Sequence, residues 1–236
     1  MKIKLFTIPN IITLCNLLCG CGSIVASLVL GDFTLAFIFV VASAVCDFFD
    51  GFTARLLHQY SDIGVQLDSL ADMVSFGVAP SAAMYALAAN STAMYALPYW
   101  LTASLVFVPF IMAAFSALRL AKFNIDETQH ETFEGLPTPA NALFCASFVY
   151  AAISSGKAVE VEWIALISVV MAALLVSPIR MFSFKLKSFG WQQNKSLYIF
   201  LVLSLVAFLT LGVYSVPVII VLYIVISTIG WLFCKK

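Results

Sequence analysis

Between Asp47 and Asp72 the chain reads DFFDGFTARLLHQYSDIGVQLDSLAD. Four of its five aspartates, one arginine and two glycines stand in what is otherwise hydrocarbon-soluble helix, and Asp62 falls in the turn between. The fixed positions are Asp47, Asp50, Gly51, Ala54, Arg55, Gly64, Asp68 and Asp72, a D-x2-D-G-x2-A-R-x8-G-x3-D-x3-D pattern. An aspartate near the centre of a spanning helix costs about 2.5–3.5 kcal/mol on insertion scales, so four cost on the order of 10 kcal/mol before mutual repulsion. Arg55 can offset one charge. Either the carboxylates face water and share protons, or they bind cations. All-oxygen, carboxylate-rich ligation suits Mg2+, Mn2+ or Ca2+ rather than zinc. Two divalent ions would balance the four charges and leave a site able to grip a pyrophosphate.

Two helices must position these groups. Residues advance about 100° each along a helix. Asp47, Asp50, Gly51, Ala54 and Arg55 then share one broad face, and Gly64, Asp68 and Asp72 share another at i, i+4, i+8. The short turn His58–Asp62 makes the two helices antiparallel neighbours, so the carboxylates converge at similar depth in the membrane. Gly51, Ala54 and Gly64 lack bulk where a ligand or a facing helix must approach closely, and ordinary helix packing would use them in the same way.

The rest of the chain fits this picture. Its 236 residues are 63% hydrophobic and 10% charged, against about 25% charged in a soluble domain, and the mean hydropathy is +1.05. The predicted fold class is all-α: one polytopic membrane bundle of about eight spans, near 8–30, 33–57, 63–89, 97–121, 138–155, 161–178, 196–211 and 214–233. Of the 12 lysines and arginines, all but Lys157 fall on one side: Lys2, Lys4, Arg55, Arg119, Lys122, Arg180, Lys185, Lys187, Lys195, Lys235 and Lys236. By the positive-inside rule both termini are cytoplasmic, and so is the aspartate end of the bundle. Asn10, Thr13 and Asn16 interrupt the first apolar stretch and argue against a cleaved signal peptide. Cys15, Cys19, Cys21, Cys46, Cys145 and Cys234 lack metal-ligand spacing and read as small apolar residues. The two longer cytoplasmic segments are Phe123–Pro137 and the basic, aromatic Ile179–Lys195, the latter suited to anionic headgroups.

The aspartate motif resembles that of the CDP-alcohol phosphatidyltransferases, complete and with the family's spacing. The resemblance implies a lipid substrate linked through pyrophosphate to cytidine, an alcohol that attacks the lipid-side phosphorus, and CMP as the leaving group. It implies Asp47, Asp50 and Asp68 as metal ligands, and Asp72 as general base and a contact to the second metal. The cofactor would be two divalent cations, Mg2+ or Mn2+. Gly51, Arg55 and Ser61 would contact the CDP group. The segment Pro9-Asn10-Ile11-Ile12-Thr13 resembles the helix start that lies against the CDP-lipid headgroup, although Asn10 and Thr13 read equally as a helix cap. The resemblance covers about residues 1–178, leaving 179–236 as additional C-terminal helices of the same domain, and it implies a homodimer in a prokaryotic cytoplasmic membrane.

A second resemblance concerns the alcohol. Ala117-Leu118-Arg119-Leu120-Ala121-Lys122-Phe123-Asn124 and Phe133-Glu134-Gly135-Leu136-Pro137-Thr138-Pro139-Ala140 are similar to segments of the integral-membrane phosphatidylserine synthases. Lys122 stands where those commonly carry arginine. The expected partners are therefore CDP-diacylglycerol, L-serine, CMP and membrane lipids, with no nucleic acid. The serine carboxylate suits Arg119 or Lys122, and its ammonium suits Glu134 or Asn124. Arg119 and Lys122 also read as positive-inside anchors, and Asp126, Glu127, His130 and Glu131 as a solvated loop surface. A sibling transferase using glycerol phosphate, inositol phosphate or an archaeal ether lipid remains an alternative. A cation transporter is a distant one, because it calls for acids spread across the bilayer depth.

Overall fold

The computed structural model of the chain describes residues 5–91, 98–125, 133–156, 158–182 and 195–233. Helix α1 (Ile8–Val25) begins where Thr7 accepts a hydrogen bond from the Asn10 N–H, with proline in the first turn, and it runs into a π turn at Ala26–Leu30. Its buried residues are Pro9, Asn10, Thr13, Asn16, Gly20 and Ser23, followed by Ser27, while Leu18 and Val25 face outward. Polar and small groups point inward and apolar ones outward, the reverse of a soluble amphipathic helix.

Helix α2 (Phe33–Leu56) is capped by Asp32, whose carboxylate accepts from the Leu35 N–H at 2.9 Å. Ser23 Oγ donates to the Ala36 carbonyl at 3.0 Å and ties α1 to α2. Helix α3 (Asp62–Asp72) is capped by Ser61. A π segment, Met73–Val78, follows immediately and leads into α4 (Ala79–Ala89), whose residues are nearly all buried. This Asp62–Ala89 rod is the centre of the bundle. Against it lie α1, α6 (Phe110–Ile125) and α7 (Thr138–Ser154), and α5 (Tyr99–Phe107) and α8 (Val161–Leu175) also pack on its α4 half. Helices α9 (Lys195–Leu211) and α10 (Ser215–Phe233) form a hairpin. Gly212, at φ +56°, helps reverse the chain, and Phe200 on α9 meets Tyr223 on α10 with ring centroids 6.0 Å apart.

By length and composition, Ile8–Leu30, Phe33–Leu56, Asp62–Ala89, Tyr99–Ile125 and Leu197–Leu232 are apolar helical stretches able to cross a membrane. The last of them contains the α9–α10 reversal, and Thr138–Ser154 and Val161–Leu175 are shorter apolar helices. The molecule is thus an all-α membrane bundle, as its composition predicts.

Two features depart from the sequence reading. The fourth predicted span, 97–121, is two helices divided near Pro109, and the second runs on to Ile125. Arg119 therefore sits within α6, and Lys122 and Asn124 lie in its last turn. The second departure joins the two longer connecting segments. Strands β1 (Phe133–Glu134) and β2 (Arg180–Met181) pair antiparallel, Phe133 opposite Met181 and Glu134 opposite Arg180. Gly135 follows at φ +76°, its N–H donating to the Ile179 carbonyl at 2.9 Å, and a Cβ there would collide with the Leu175 carbonyl. Only glycine satisfies both the left-handed backbone and that approach. Asp126, Glu127, His130, Glu131, Lys2, Lys4, Lys157, Lys185, Lys187, Lys235, Lys236 and Cys234 lie outside the described residues.

Candidate active site

The site begins with the α2–α3 pair. Ligand oxygens of Asp47, Asp50 and Asp68 all lie within 4.8 Å of one another. Asp50 is buried and the other two are half-buried. Asp50 Oδ2 and Asp68 Oδ1 are shielded from solvent and have no hydrogen-bond partner. A carboxylate oxygen left so in a protein interior is costly unless something positive meets it. An all-oxygen set with two unsatisfied atoms fits a hard divalent cation on Asp47, Asp50 and Asp68. Arg55 does not supply the missing charge. Its side chain is exposed, and its Nε donates to the Gly51 carbonyl at 3.0 Å. Among the described residues it makes no ion pair with the aspartates.

Asp72 stands beside this trio. It is buried, lies in hydrogen-bonding reach of Asp47, and accepts a hydrogen bond at 3.2 Å from Asn16 Nδ2 on α1. Asn16 is fully buried, and its backbone carbonyl accepts from Ser43 Oγ of α2 at 3.2 Å and from Ser75 Oγ of the π segment at 2.9 Å. One residue of α1 thus joins α2, Asp72 and the widened turn beyond it. Sequence reasoning treated Asn16 only as an interruption of an apolar stretch. The signal that marks it is the spacing of Asn10, Thr13, Asn16, Gly20 and Ser23, three or four residues apart on one helical face.

The groups expected to meet the nucleotide divide by exposure: Asn10 and Thr13 are buried on α1, whereas Gly51 and Arg55 are exposed on α2. Thr13 donates to the Pro9 carbonyl at 3.1 Å and lies in hydrogen-bonding reach of Asp50. Asn10 donates from Nδ2 to the Leu5 carbonyl at 2.9 Å. A Cβ added to Gly64 would stand 3.2 Å from Asn10 Oδ1 and 3.1 Å from Ser61 Oγ, so bulk here would push α1 and α3 apart. Ser61 Oγ accepts from the Gly64 N–H at 3.1 Å, a capping bond. The cap of α1 itself is Thr7, which leaves Asn10 and Thr13 as inward-facing groups. Beside Gly51 the space is open.

The acceptor residues divide. Arg119, Lys122 and Glu134 line one cavity of about 140 Å³, together with Leu118, Phe123 and Leu175–Ser177. Lys122 Nζ and Glu134 Oε2 pair at 3.1 Å, both partly exposed, which contributes little to stability. Arg119 is half-buried, with Nε shielded and unpartnered, and it lies within electrostatic reach of Asp72. Asn124 is not on the cavity wall. Its Nδ2 donates to Ser69 Oγ at 2.8 Å and braces α6 against α3.

Chemically, this is a carboxylate cluster suited to divalent metal, an open side with an arginine and a glycine, and a small charged cavity whose Arg119 lies within electrostatic reach of the fourth aspartate. Comparison with known proteins agrees. The sequence profile of the CDP-alcohol phosphatidyltransferase family matches residues 6–176. The chain is 40% identical over 146 residues to the CDP-diacylglycerol–serine O-phosphatidyltransferase of Bacillus subtilis, covering 61% of this chain and 76% of that protein. It is 32% identical over 236 residues to the Helicobacter pylori protein of the same name, covering 97% and 92%. Its identity to the Methanocaldococcus jannaschii protein of that name is 33% over 145 residues, 61% of each chain.

Proposed function

The chain belongs to the CDP-alcohol phosphatidyltransferase family, and from that premise we propose that it transfers the phosphatidyl group of CDP-diacylglycerol to the hydroxyl of L-serine, giving phosphatidylserine and CMP. The relatives described above carry that activity in their names. The observation that carries the reading is what adjoins Asp72. The aspartate trio with its unpartnered oxygens stands beside it, and Arg119, which lines the cavity, lies within its electrostatic reach.

The chain's own residues then act as follows. Asn10, Thr13, Gly51, Arg55 and Ser61 hold the CDP head at the mouth of the site, while the lipid tails stay in the bilayer. Arg119 takes the serine carboxylate, and Glu134 takes the ammonium as Lys122 releases it. Asn124 keeps α6 in register with the motif. Asp72, oriented by Asn16, accepts the proton of the serine hydroxyl. The serine oxygen forms a bond to the lipid-side phosphorus, the bond from that phosphorus to the CMP oxygen breaks, and CMP leaves with the electron pair. Mg2+ or Mn2+ bound by Asp47, Asp50 and Asp68, with Asp72 shared with a second ion, would supply the positive charge that a pyrophosphate and departing CMP need.

A cavity of about 140 Å³ is small beside the roughly 300–1,000 Å³ of pockets for drug-sized ligands, which favours an amino acid over a sugar phosphate. A phosphate-bearing acceptor also calls for more cations than Arg119 and Lys122. The chain is one domain crossing the cytoplasmic membrane eight times, counting α9 and α10 separately. Its termini and active site face the cytoplasm, where the basic residues cluster, and it works as a homodimer.

The test supplies purified protein in lipid nanodiscs with CDP-diacylglycerol, Mn2+ and one alcohol at a time, and measures CMP release. L-Serine alone should drive it. Release with glycerol 3-phosphate or inositol phosphate and none with serine overturns the acceptor.

A further inference from the structure

The acceptor cavity is lined from three pieces of chain: α6, with Arg119 and Lys122, Glu134 on β1, and Leu175–Ser177 at the end of α8. Glu134 and the α8 end are distant in sequence, so their separation is set by tertiary bonds. The Gly135 N–H donates to the Ile179 carbonyl at 2.9 Å, and the Leu136 N–H donates to the Leu174 carbonyl at 2.9 Å. Glu134 itself pairs with Arg180 across the two-stranded ladder. The Ser177 hydroxyl also donates to the Leu174 carbonyl, at 3.0 Å, so the last turn of α8 is closed partly by chain from the β1 side. Gly135 stands at this join, buried and at φ +76°. A Cβ there would collide with the Leu175 carbonyl oxygen and stand 3.0 Å from its carbon and 3.2 Å from the Leu174 oxygen. These are backbone atoms of a helix end and do not swing aside as a side chain would. Gly135 is not on the cavity lining. A methyl at this position therefore takes no volume from the cavity and acts by parting Glu134, its chain neighbour, from Leu175, its contact. Ile179, Arg180 and Met181 lie beyond the family profile, which ends at residue 176.

We propose that this clip of β1, β2 and the α8 end sets the width of the acceptor cavity, and that Gly135 is the positioning residue on which selection of the acceptor by size depends. The acceptor that fits is a small hydroxy amino acid. L-Threonine, with one methyl more at the reacting carbon, is the neighbour it excludes. One extra methylene in a pocket of fixed shape gives about 10- to 200-fold discrimination. Here the shape is fixed by backbone hydrogen bonds and by a contact that admits only glycine. With about 140 Å³ available, a small displacement of Glu134 from Leu175 is a large relative change. This inference rests on the reading of the cavity as the serine site.

The test uses the full-length protein in lipid nanodiscs and the variants G135A and P178G. Pro178 is exposed, lies between the α8 end and β2, and does not line the cavity. Glycine there loosens the chain that carries the Ile179 carbonyl and leaves Gly135 in place. The readout is the serine KM for CMP release, with the Ki of L-threonine as a competitor of serine. G135A should raise the serine KM about tenfold, since a misplacement of about 1 Å can cost as much as about 10²-fold. The threonine Ki should not rise with it, so the ratio of Ki to KM falls about tenfold, and the CDP-diacylglycerol KM stays as it was. P178G should lower the same ratio by about threefold, and it decides the matter where G135A does not fold. An unchanged ratio in folded G135A overturns the inference, as does an unchanged ratio in P178G where G135A is lost. A fall in kcat and melting temperature with the ratio kept marks a merely structural glycine and overturns it too. A wild-type protein whose CMP release ignores serine overturns the acceptor reading and this inference together. A serine-dependent wild type beside variants of unaltered ratio overturns this inference alone.

Discussion

Asn16 reaches across from the first helix to donate from Nδ2 to Asp72 Oδ1 at 3.2 Å, with both side chains buried. Asp72 is thereby oriented from α1 while it lies in hydrogen-bonding reach of Asp47. The Asn16 carbonyl is in turn gripped by Ser43 and Ser75, so the orientation of the acid depends on three chain segments at once. Replacing Asn16 with leucine removes the donor and keeps the volume. It should lower kcat about 10- to 100-fold, the usual loss when a group that orients an active-site ligand is removed. The CDP-diacylglycerol KM should move little. Steady-state CMP release checks this, and an unaltered kcat would detach Asn16 from the chemistry.

Asp72→Asn keeps the size of the side chain and removes its ability to take a proton. Turnover should fall by about 10²- to 10⁴-fold, the range ascribed to general acid–base catalysis. Binding of CDP-diacylglycerol, measured by equilibrium titration in nanodiscs, should persist. Near-normal turnover in this variant would remove the base assignment.

Arg119 and Asn124 lie five residues apart on α6 but face different tasks. Arg119→Ala should raise the serine KM about 10- to 100-fold, because charge-assisted hydrogen bonds contribute roughly 1.5–3 kcal/mol. Asn124→Ala loses only the brace to Ser69 and should leave the serine KM within about threefold while lowering thermal stability by about 1 kcal/mol. A larger rise in serine KM for Asn124→Ala than for Arg119→Ala would reverse the assignment.

Gly20 and Gly51 make a matched pair. A Cβ on Gly20 would lie 2.5 Å from Ser75 Oγ and 2.8 Å from Ser75 Cα, whereas a Cβ on Gly51 meets nothing within 4 Å. Gly20→Ala should destabilise the fold by about 1–3 kcal/mol through overpacking, visible as a lower melting temperature. Gly51→Ala should melt like the wild type and act only on the CDP-diacylglycerol KM. A thermally silent Gly20→Ala would show that α1 can move away from the π segment at no cost.

These contrasts mark what was legible in the sequence. The aspartates announce themselves because charge in hydrocarbon is rare and costly, and the spacing of Asp47, Asp50 and Asp68 leads directly to their convergence. Hydropathy finds the spans for the same reason. The π segment after Asp72 leaves no such mark. It changes one hydrogen-bond register without altering polarity, yet it directs Ser75 to Asn16 and Gly77 to Ser116. The β1–β2 pair is equally silent, because two residues on each side cannot set a strand pattern, although the left-handed Gly135 in Phe133–Pro137 is its trace. Asn124 shows the limit of residue type as a guide. An amide near a basic pair suits an amino-acid ligand, but helix phase turns it to Ser69 instead. Tyr223 is invisible in a largely apolar stretch, and only tertiary packing brings it to Phe182 and Phe200.

The central claim is that Asp47, Asp50 and Asp68 hold a divalent ion that makes a nucleotide-linked lipid reactive toward serine. The most direct measurement follows CMP release from CDP-diacylglycerol and L-serine by the purified protein, first stripped with chelator and then titrated with Mn2+. The rate should vanish after stripping, return saturably with the metal, and fail to return in Asp50→Asn. Undiminished, serine-dependent release in the stripped protein would contradict the account.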